Sequence, residues 1–244
     1  MKKNIFFVVA MVMLASCGGK STSLPEFEPF VFESTDNSTY EVRITYQHIA
    51  NMWDSEAYSK IEWQNYMHSF PAWESVKDEN DIVAMDIEAM AASIVAEYSE
   101  YAKSAEGPIC SYIMDQAAFF VRDDSVLCYE TLVDSFAGGA HGAQMLWCEC
   151  FDIATGAPYD FRYLFDGEWG GAVKALVYER LCADNCLSID SAEALPMSSS
   201  AALTDTGVVL VYQPYEVAAY LEGILSVEIS DEELEACGAP ILWQ

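Results

Sequence analysis

The chain has 244 residues and carries 39 Asp and Glu against 11 Lys and Arg, a formal net charge of −28. It is 52% apolar, so it is not a disordered acidic tail, because such tails combine high charge with low hydrophobicity. Nucleic acid and anionic membrane surfaces are excluded as partners, since both need a basic patch and the cations are spread over the whole chain. The charge fits a cationic partner or simple solubility, and the length fits one or two domains.

The N-terminus has the form of a bacterial lipoprotein signal. Lys2 and Lys3 precede an apolar run of ten residues, Ile5 to Leu14, which is too short to cross a bilayer core of about 30 Å. The sequence Leu-Ala-Ser-Cys that follows resembles a lipobox, the motif whose Cys is lipidated while the chain is cut just before it. We therefore expect residues 1–16 to be removed and Cys17 to anchor the protein to a bacterial membrane.

The residues after the lipobox bear on the compartment. Residues 17–28 are small, polar or proline-containing and predict a flexible tether. No acidic residue directly follows Cys17, which favours a periplasm-facing inner or outer membrane over the cell surface. No later apolar stretch reaches 18 residues, so a second membrane segment is not expected. The predicted location is the cell envelope, where disulfides are permitted.

The N-terminal half, residues 29–124, predicts strands around one long helix. Asp78 to Ser104 is the clearest helix, because its apolar residues recur every three or four positions: Val83, Ile87, Met90, Ile94, Tyr98 and Tyr101. We expect this stripe to pack on a sheet rather than to bind a partner. The aromatic-rich stretch from Trp53 to Trp73 has no clean period and predicts a short helix with loops. Strands are predicted at 30–33, at 40–46 and within 110–122.

The C-terminal half, residues 125–244, predicts more strands and shorter helices. Ser230 and Glu233 have the spacing of a capping box at the start of a helix, and 190–205 predicts a loop. The other predicted elements are strands at 125–136, 143–153, 208–212 and 225–229 and helical segments starting at 163 and 172. The expected fold is α+β, a mixed or antiparallel sheet with the long helix and shorter helices packed on it.

The cysteines predict one disulfide and no metal site. The turn between the strands 125–136 and 143–153 centres near Gly139, so the hairpin would place Cys128 opposite Cys150, the best candidate pair. Cys148 and Cys150 point to the same face of a strand and are poorly placed to bond each other. The alternative is that most cysteines are buried as small apolar residues. No Cys-x-x-Cys pair exists, and His is scarce, so we expect neither a metal nor a cofactor.

Several motifs of the C-terminal half resemble one bacterial extracytoplasmic family. They are the Gly-Gly-Ala-His hairpin in 134–142, then 151–156, 163–165, 212–220 and 227–229. In this order they are similar to the domain of unknown function found outside the membrane in the RsiV anti-sigma factor and beside the catalytic domain of PdaC peptidoglycan deacetylases. The match covers roughly Ser125 to Leu234.

The resemblance implies an α+β fold and a recognition role outside the membrane, associated with cell-wall or lysozyme sensing. Two departures limit what it implies. We expect neither the transmembrane helix and cytoplasmic segment that RsiV uses for signalling nor an appended deacetylase domain.

The glycine-rich hairpin is the first candidate ligand site. His141 lies in it near Asp134, but the sequence has no Gly-x-Ser-x-Gly elbow to supply a nucleophile. Gly138 and Gly139 would supply turn conformations that other residues resist, and His141 would hydrogen-bond across the hairpin base. Contact of His141 with a ligand, and catalysis by it, are the alternatives.

The stretch after residue 212 is the second candidate site. Tyr212, Tyr215 and Glu216 flank Pro214, and a Tyr ring suits sugars or protein partners because it is amphipathic. The alternative is that Tyr215 packs beneath the hairpin and Glu216 caps a helix.

Together these observations predict a non-catalytic lipoprotein of the cell envelope that binds or senses a protein or cell-wall ligand. The expected partners are the membrane, through Cys17, and either a basic, lysozyme-like protein or a peptidoglycan fragment. A wall-acting hydrolase or deacetylase-associated module using His141 is one alternative. A structural envelope component is the other.

Overall fold

The computed structural model describes residues 24–36, 39–70, 86–104, 107 and 109–243. The expected signal peptide, Cys17, most of the tether and positions 78–85 of the expected long helix lie outside these residues. The described residues form an α+β fold, as predicted. Its elements are β1 Phe27–Asp36, β2 Tyr40–Ile49, α1 Glu56–Ser69, α2 Ile87–Ser104, β3 Cys110–Val121, β4 Val126–Phe136, β5 Ala143–Asp152, α3 Gly170–Asp184, β6 Ser200–Leu203, β7 Gly207–Tyr212, β8 Leu225–Ser230 and α4 Asp231–Ala236.

Five strands form a mixed sheet in the order β1-β2-β3-β4-β5. β2 and β3 pair in parallel, with Tyr40 opposite Cys110, whereas the other neighbours are antiparallel. A parallel pair needs a long crossover, and the chain between β2 and β3 supplies it with α1 and α2. The remaining strands form a separate antiparallel sheet, β6-β7-β8.

The division expected at residues 124 and 125 falls inside a hairpin. β3 pairs with β4 from Ser111 and Phe136 down to Val121 and Val126, so one continuous sheet crosses that position. The sheet is continuous there because β3 of the N-terminal half pairs with β4 of the C-terminal half. The sequence pattern on either side of residue 125 does not show which strands pair. The five-stranded sheet is therefore built from both halves of the chain.

The two faces of the five-stranded sheet pack differently. One face buries Tyr46 and Met114 against Ile94 and Tyr98 of α2, and it continues under α1. The other face, near Cys128, packs against the three-stranded sheet and α3 in a second core. The α2 stripe is thus a core face as expected, except that Tyr101 at its end is 37% exposed.

The prediction of only a short helix between Trp53 and Trp73 is wrong, because α1 has 14 residues. Its buried face mixes apolar and polar residues: Ile61 and Tyr66 are buried, and so are Glu62, Asn65 and Ser69, which are at most 1% exposed. The Gln116 amide nitrogen lies within hydrogen-bond distance of three oxygens, Asn65 Oδ1 (2.7 Å), Ser69 Oγ (2.9 Å) and Thr131 Oγ1 on β4 (2.9 Å). Polar residues interrupt the apolar ones on the buried face of α1, which is why its period could not be recognised.

Two other local predictions have clear outcomes. The capping box of α4 is confirmed, since the Ser230 hydroxyl accepts from the Glu233 backbone and the Glu233 carboxylate accepts from Ser230 N. The loop predicted at 190–205 contains β6, which was missed because Ser200, Ala201 and Ala202 are small residues with little preference for strands. No helix within the described part of the chain is both long and apolar enough to cross a membrane.

We expect the stability of the protein to fall as the pH rises from about 6.5 to 8. The hydrogen bond to the Glu62 carboxylate, Nδ1 to Oε1 at 2.6 Å, raises the pKa of His48, and Glu149 raises the pKa of His68 in the same way. A His whose pKa is raised by folding stabilises the protein fully at a pH below its pKa in the unfolded chain, about 6.5. This stabilisation is lost as the pH rises through the pKa of the His in the folded protein. Urea unfolding at several pH values between about 6 and 8 measures this loss of stability. The variant H48Q/H68Q should show a flatter profile, and stability that increases with pH in the wild type would contradict the prediction.

Candidate functional site

The hairpin between β4 and β5 carries the first candidate residues at its tip. Gly138 and Gly139 have φ values of +96° and +102°, a region that favours glycine, so they make the turn as expected. Gly142 is needed for space instead, because a Cβ there would lie 2.7 Å from the Ser135 carbonyl oxygen. The tight tip turns His141 to the exposed end of the hairpin.

The hairpin is held below its tip by a disulfide. Cys128 and Cys150 are directly opposite in the register of β4 and β5, and they are bonded to each other. Both are buried, and Cys150 Sγ also accepts from the backbone N–H of Leu203 on β6 (3.2 Å). Cys148, two residues from Cys150, is a free thiol, and burial raises its pKa to about 12. The pairing expected from the hairpin register is the one that the structure contains.

Gln213, just after β7, clamps a second loop to the same hairpin. Its side-chain oxygen accepts from Leu146 N (3.0 Å), and its amide nitrogen donates to the Leu146 carbonyl (2.6 Å), as a neighbouring strand would. The Glu216 carboxylate accepts from Gln213 N (2.7 Å) and from Ser199 Oγ (3.1 Å). These bonds fix the loop on which Tyr215 stands.

Replacing Gln213 with alanine should cost about 1–3 kcal/mol, because it leaves both backbone groups of Leu146 without this partner. Urea unfolding measures the loss, and amide hydrogen exchange at Leu146 should become faster. Gln144→Ala is the matched control. Gln144 donates to Asp134 at the surface (2.8 Å), so its loss should change stability by only about 0.5 kcal/mol. Equal effects of the two variants would show that the clamp contributes nothing beyond a surface contact.

Three aromatic residues meet where the two loops come together: His141, Tyr215 and Tyr220, which we call the aromatic cluster. His141 stacks on Tyr220 with ring centroids 4.3 Å apart, and Tyr215 lies 5.5 Å from Tyr220. The Tyr220 hydroxyl donates to the Gly142 carbonyl (2.8 Å), and His141 Nδ1 lies 2.8 Å from the same oxygen. Tyr215 adopts φ +72° and is 63% exposed, so its ring stands out from the surface.

The structure separates the residues of the second candidate site. Tyr212 is completely buried and donates to the Pro196 carbonyl, so its assignment as a ligand-binding residue is wrong; β7 alternation turns it into the core. Glu216 holds the loop and caps no helix, and Tyr215 does not pack beneath the hairpin. Tyr220 was missed as a site residue, although its aromatic side chain in the 212–220 motif was a usable signal.

The groups near His141 in sequence are engaged elsewhere. The Asp134 carboxylate accepts from Gln144, and Ser135 hydrogen-bonds Tyr98 of α2. His141 Nε2 lies 3.4 Å from the Tyr215 hydroxyl instead. Within the ranges that the structure describes, no three His, Cys, Asp or Glu side chains converge to hold a metal ion. The arrangement offers aromatic faces and hydroxyls to a ligand.

Comparison with known proteins agrees with this architecture. The profile of a protein family of unknown function, DUF3298, matches residues 188–232, the segment that contains the Gln213 clamp and Tyr215. No curated protein matches the chain. Two solved structures share its fold. A DUF3298 family member from Bacteroides fragilis is 18% identical, with a TM-score of 0.64 over 88% of this chain and 94% of that one.

The second structure is a DUF3298 family protein from Pseudomonas aeruginosa PAO1. It is 16% identical, with a TM-score of 0.59 over 87% of this chain and 94% of the other. The chain therefore has the fold of these DUF3298 family proteins and carries, in residues 188–232, a segment that matches the family.

Proposed function

We propose that this protein is a non-catalytic lipoprotein of the bacterial cell envelope that binds a ligand outside the cytoplasmic membrane. The observation that carries the proposal is the aromatic cluster, whose His141 and Tyr215 are exposed on two loops held by the Gln213 clamp. Exposed aromatic groups on a rigid support are typical of binding sites, because little conformational entropy is lost when a ligand covers them. The resemblance to the RsiV and PdaC domain supports a recognition role of the same kind.

The lipid anchor that we propose at Cys17 supports the location. Cys17 follows the apolar run of the signal at the position of a lipobox Cys, and lipidation there would hold the folded body at a bacterial membrane. The favoured ligand of the aromatic cluster is a wall fragment, since material fixed outside the membrane is within reach of a tethered protein.

The experiment compares ligand binding by the full-length lipoprotein and by two variants. One assay measures co-sedimentation with purified peptidoglycan sacculi, and the other measures capture of envelope proteins. Tyr215→Ala should abolish the binding of the wild type. Trp53→Ala should leave it unchanged, because Trp53 is equally exposed, at 66%, but lies outside the cluster. Absence of any captured wall or protein ligand, or equal binding by Tyr215→Ala, would refute the proposal.

A second candidate function is binding of a basic protein. It is favoured by exposed acidic residues on the sheet face that carries Cys128, where that face extends beyond the three-stranded sheet. Four acidic residues lie on this face of the sheet, which we call the acidic sheet face: Glu33, Asp115, Glu130 and Asp134. They lie there because they alternate along their strands with residues that pack under the helices. Burial raises the pKa of Glu130. Arg43 on the same face is paired with Glu41 (3.0 Å).

Charge complementarity is the argument for a basic partner. Apart from Lys174, every Lys and Arg among the described residues is already paired with a carboxylate, so the excess acids present an uncompensated negative surface. Binding of a basic protein such as lysozyme should weaken steeply as salt rises. Absent or salt-independent binding would exclude this second function.

A further inference from the structure

We propose that the aromatic cluster is a glycan site, at which a β-linked pyranose stacks the apolar C–H face of its ring on Tyr215. The inference rests on the proposed binding function and names the chemical class of the ligand. It is argued from the exposure of the rings, from their rigid support and from the charge around them.

The first observation is the arrangement of the three rings. The planes of Tyr215 and Tyr220 are 31° apart, those of His141 and Tyr220 29°, and those of His141 and Tyr215 45°. His141 therefore covers one face of Tyr220, and Leu221, the residue after Tyr220, is 86% exposed. Tyr215 stands beside this stacked pair and is 63% exposed, so its ring offers an apolar surface to the solvent. Such a surface suits a flat amphipathic ring, because both partners then bury apolar area while their hydroxyls stay wet.

The second observation is that the aromatic cluster is held in place before any ligand arrives. Gln213 and Glu216 fix the loop under Tyr215, and the Gly142 carbonyl binds both His141 and Tyr220. Tyr215 is held at φ +72°, a conformation that a Tyr rarely adopts. The turn from Gln213 to Glu216, closed by the hydrogen bond from Glu216 N to the Gln213 carbonyl (3.0 Å), sets this conformation and leaves most of the Tyr215 ring in solvent, where a ligand can reach it.

The third observation is the chemistry of the available polar groups. The Tyr215 hydroxyl lies 3.4 Å from His141 Nε2, a long contact that leaves both groups able to bond a sugar hydroxyl. The Glu216 carboxylate accepts two hydrogen bonds that support the loop, so the polar groups of the aromatic cluster itself are the Tyr215 hydroxyl and His141. An anionic ligand is disfavoured by the net charge of −28. A neutral polyhydroxylated ligand matches what remains.

The test is a calorimetric titration of the purified full-length lipoprotein with two tetrasaccharides. One consists of β-1,4-linked N-acetylglucosamine and the other of β-1,4-linked glucose. We expect saturable binding of at least one of them, which Tyr215→Ala weakens about tenfold or more and Tyr215→Phe largely retains. Trp53→Ala should bind like the wild type.

The variant Tyr215→Gly distinguishes loss of the ligand contact from misfolding. Glycine accommodates a positive φ without steric cost, so this variant should be at least as stable as the wild type in urea and should still lose binding. Tyr215-dependent binding to sacculi or to an envelope protein without binding to either tetrasaccharide would overturn the glycan inference and leave the proposed function standing. Tetrasaccharide binding that survives Tyr215→Gly would also overturn it.

Discussion

Replacing Glu62 with alanine is expected to destabilise the protein by about 3–5 kcal/mol, because it removes one partner of a buried charged network. The Glu62 carboxylate is inaccessible to solvent and accepts from the Tyr46 hydroxyl (3.0 Å), His48 Nδ1 (2.6 Å) and Ile49 N (2.9 Å). Burial, and then the Glu62 charge, raise the pKa of Tyr46, so this Tyr remains a neutral donor. Without the carboxylate the Tyr46 hydroxyl and the Ile49 N–H stay buried and lose this acceptor.

Urea unfolding of four proteins tests this expectation: the wild type, Glu62→Ala, Tyr46→Phe and the double variant. Removing the Tyr46 hydroxyl should cost less in the Glu62→Ala background than in the wild type, since its acceptor is already gone. Glu62→Gln should lose less stability than Glu62→Ala, because the amide oxygen still accepts. A loss below about 1 kcal/mol for Glu62→Ala would show that α1 is held by its apolar contacts alone.

Loss of the Cys128–Cys150 disulfide is the second large effect, and we expect it to cost about 3 kcal/mol. The bond closes a loop of 22 residues in the unfolded chain, and the entropy of a loop of that size sets this magnitude. The variant C128A/C150A avoids buried hydroxyls. The aromatic cluster should become less ordered as well, because the same hairpin carries His141 at its tip.

Unfolding in urea with and without dithiothreitol separates the bond from the side chains. The reductant should lower the stability of the wild type by about the same 3 kcal/mol and leave C128A/C150A unchanged. Cys182→Ser is the control, because this thiol is free and exposed, and its replacement should change stability by only about 0.5 kcal/mol. An equal response of the wild type and C128A/C150A to dithiothreitol would contradict the prediction.

The local features of the fold were predictable where a short pattern has one physical cause. The 3.6-residue period gave α2, the Ser230 and Glu233 spacing gave the cap of α4, and the hairpin centre gave the register of Cys128 and Cys150. α1 was predicted too short because Glu62 and its polar neighbours face inward, and inward polarity looks like surface polarity in a sequence.

The candidate site was predictable only in part. The hairpin and the stretch after residue 212 are both at the site, but sequence patterns cannot say which aromatic side chain is turned outward. Tyr212 continues β7 into the core, and Tyr215 leaves it through a positive φ angle. Tyr220 joins His141 only because the Gln213 clamp brings the two loops together.

The sequence by itself determined the negative charge, the form of the N-terminal signal, the α+β class and the hairpin with its disulfide pair. Each of these depends on composition or on residues that are close along the chain. The tertiary structure decided the parallel pairing of β2 with β3, the sheet that crosses residue 125 and the meeting of His141, Tyr215 and Tyr220. These depend on contacts between distant segments, whose free energy is set by packing and by the bonds of buried polar groups rather than by local preference.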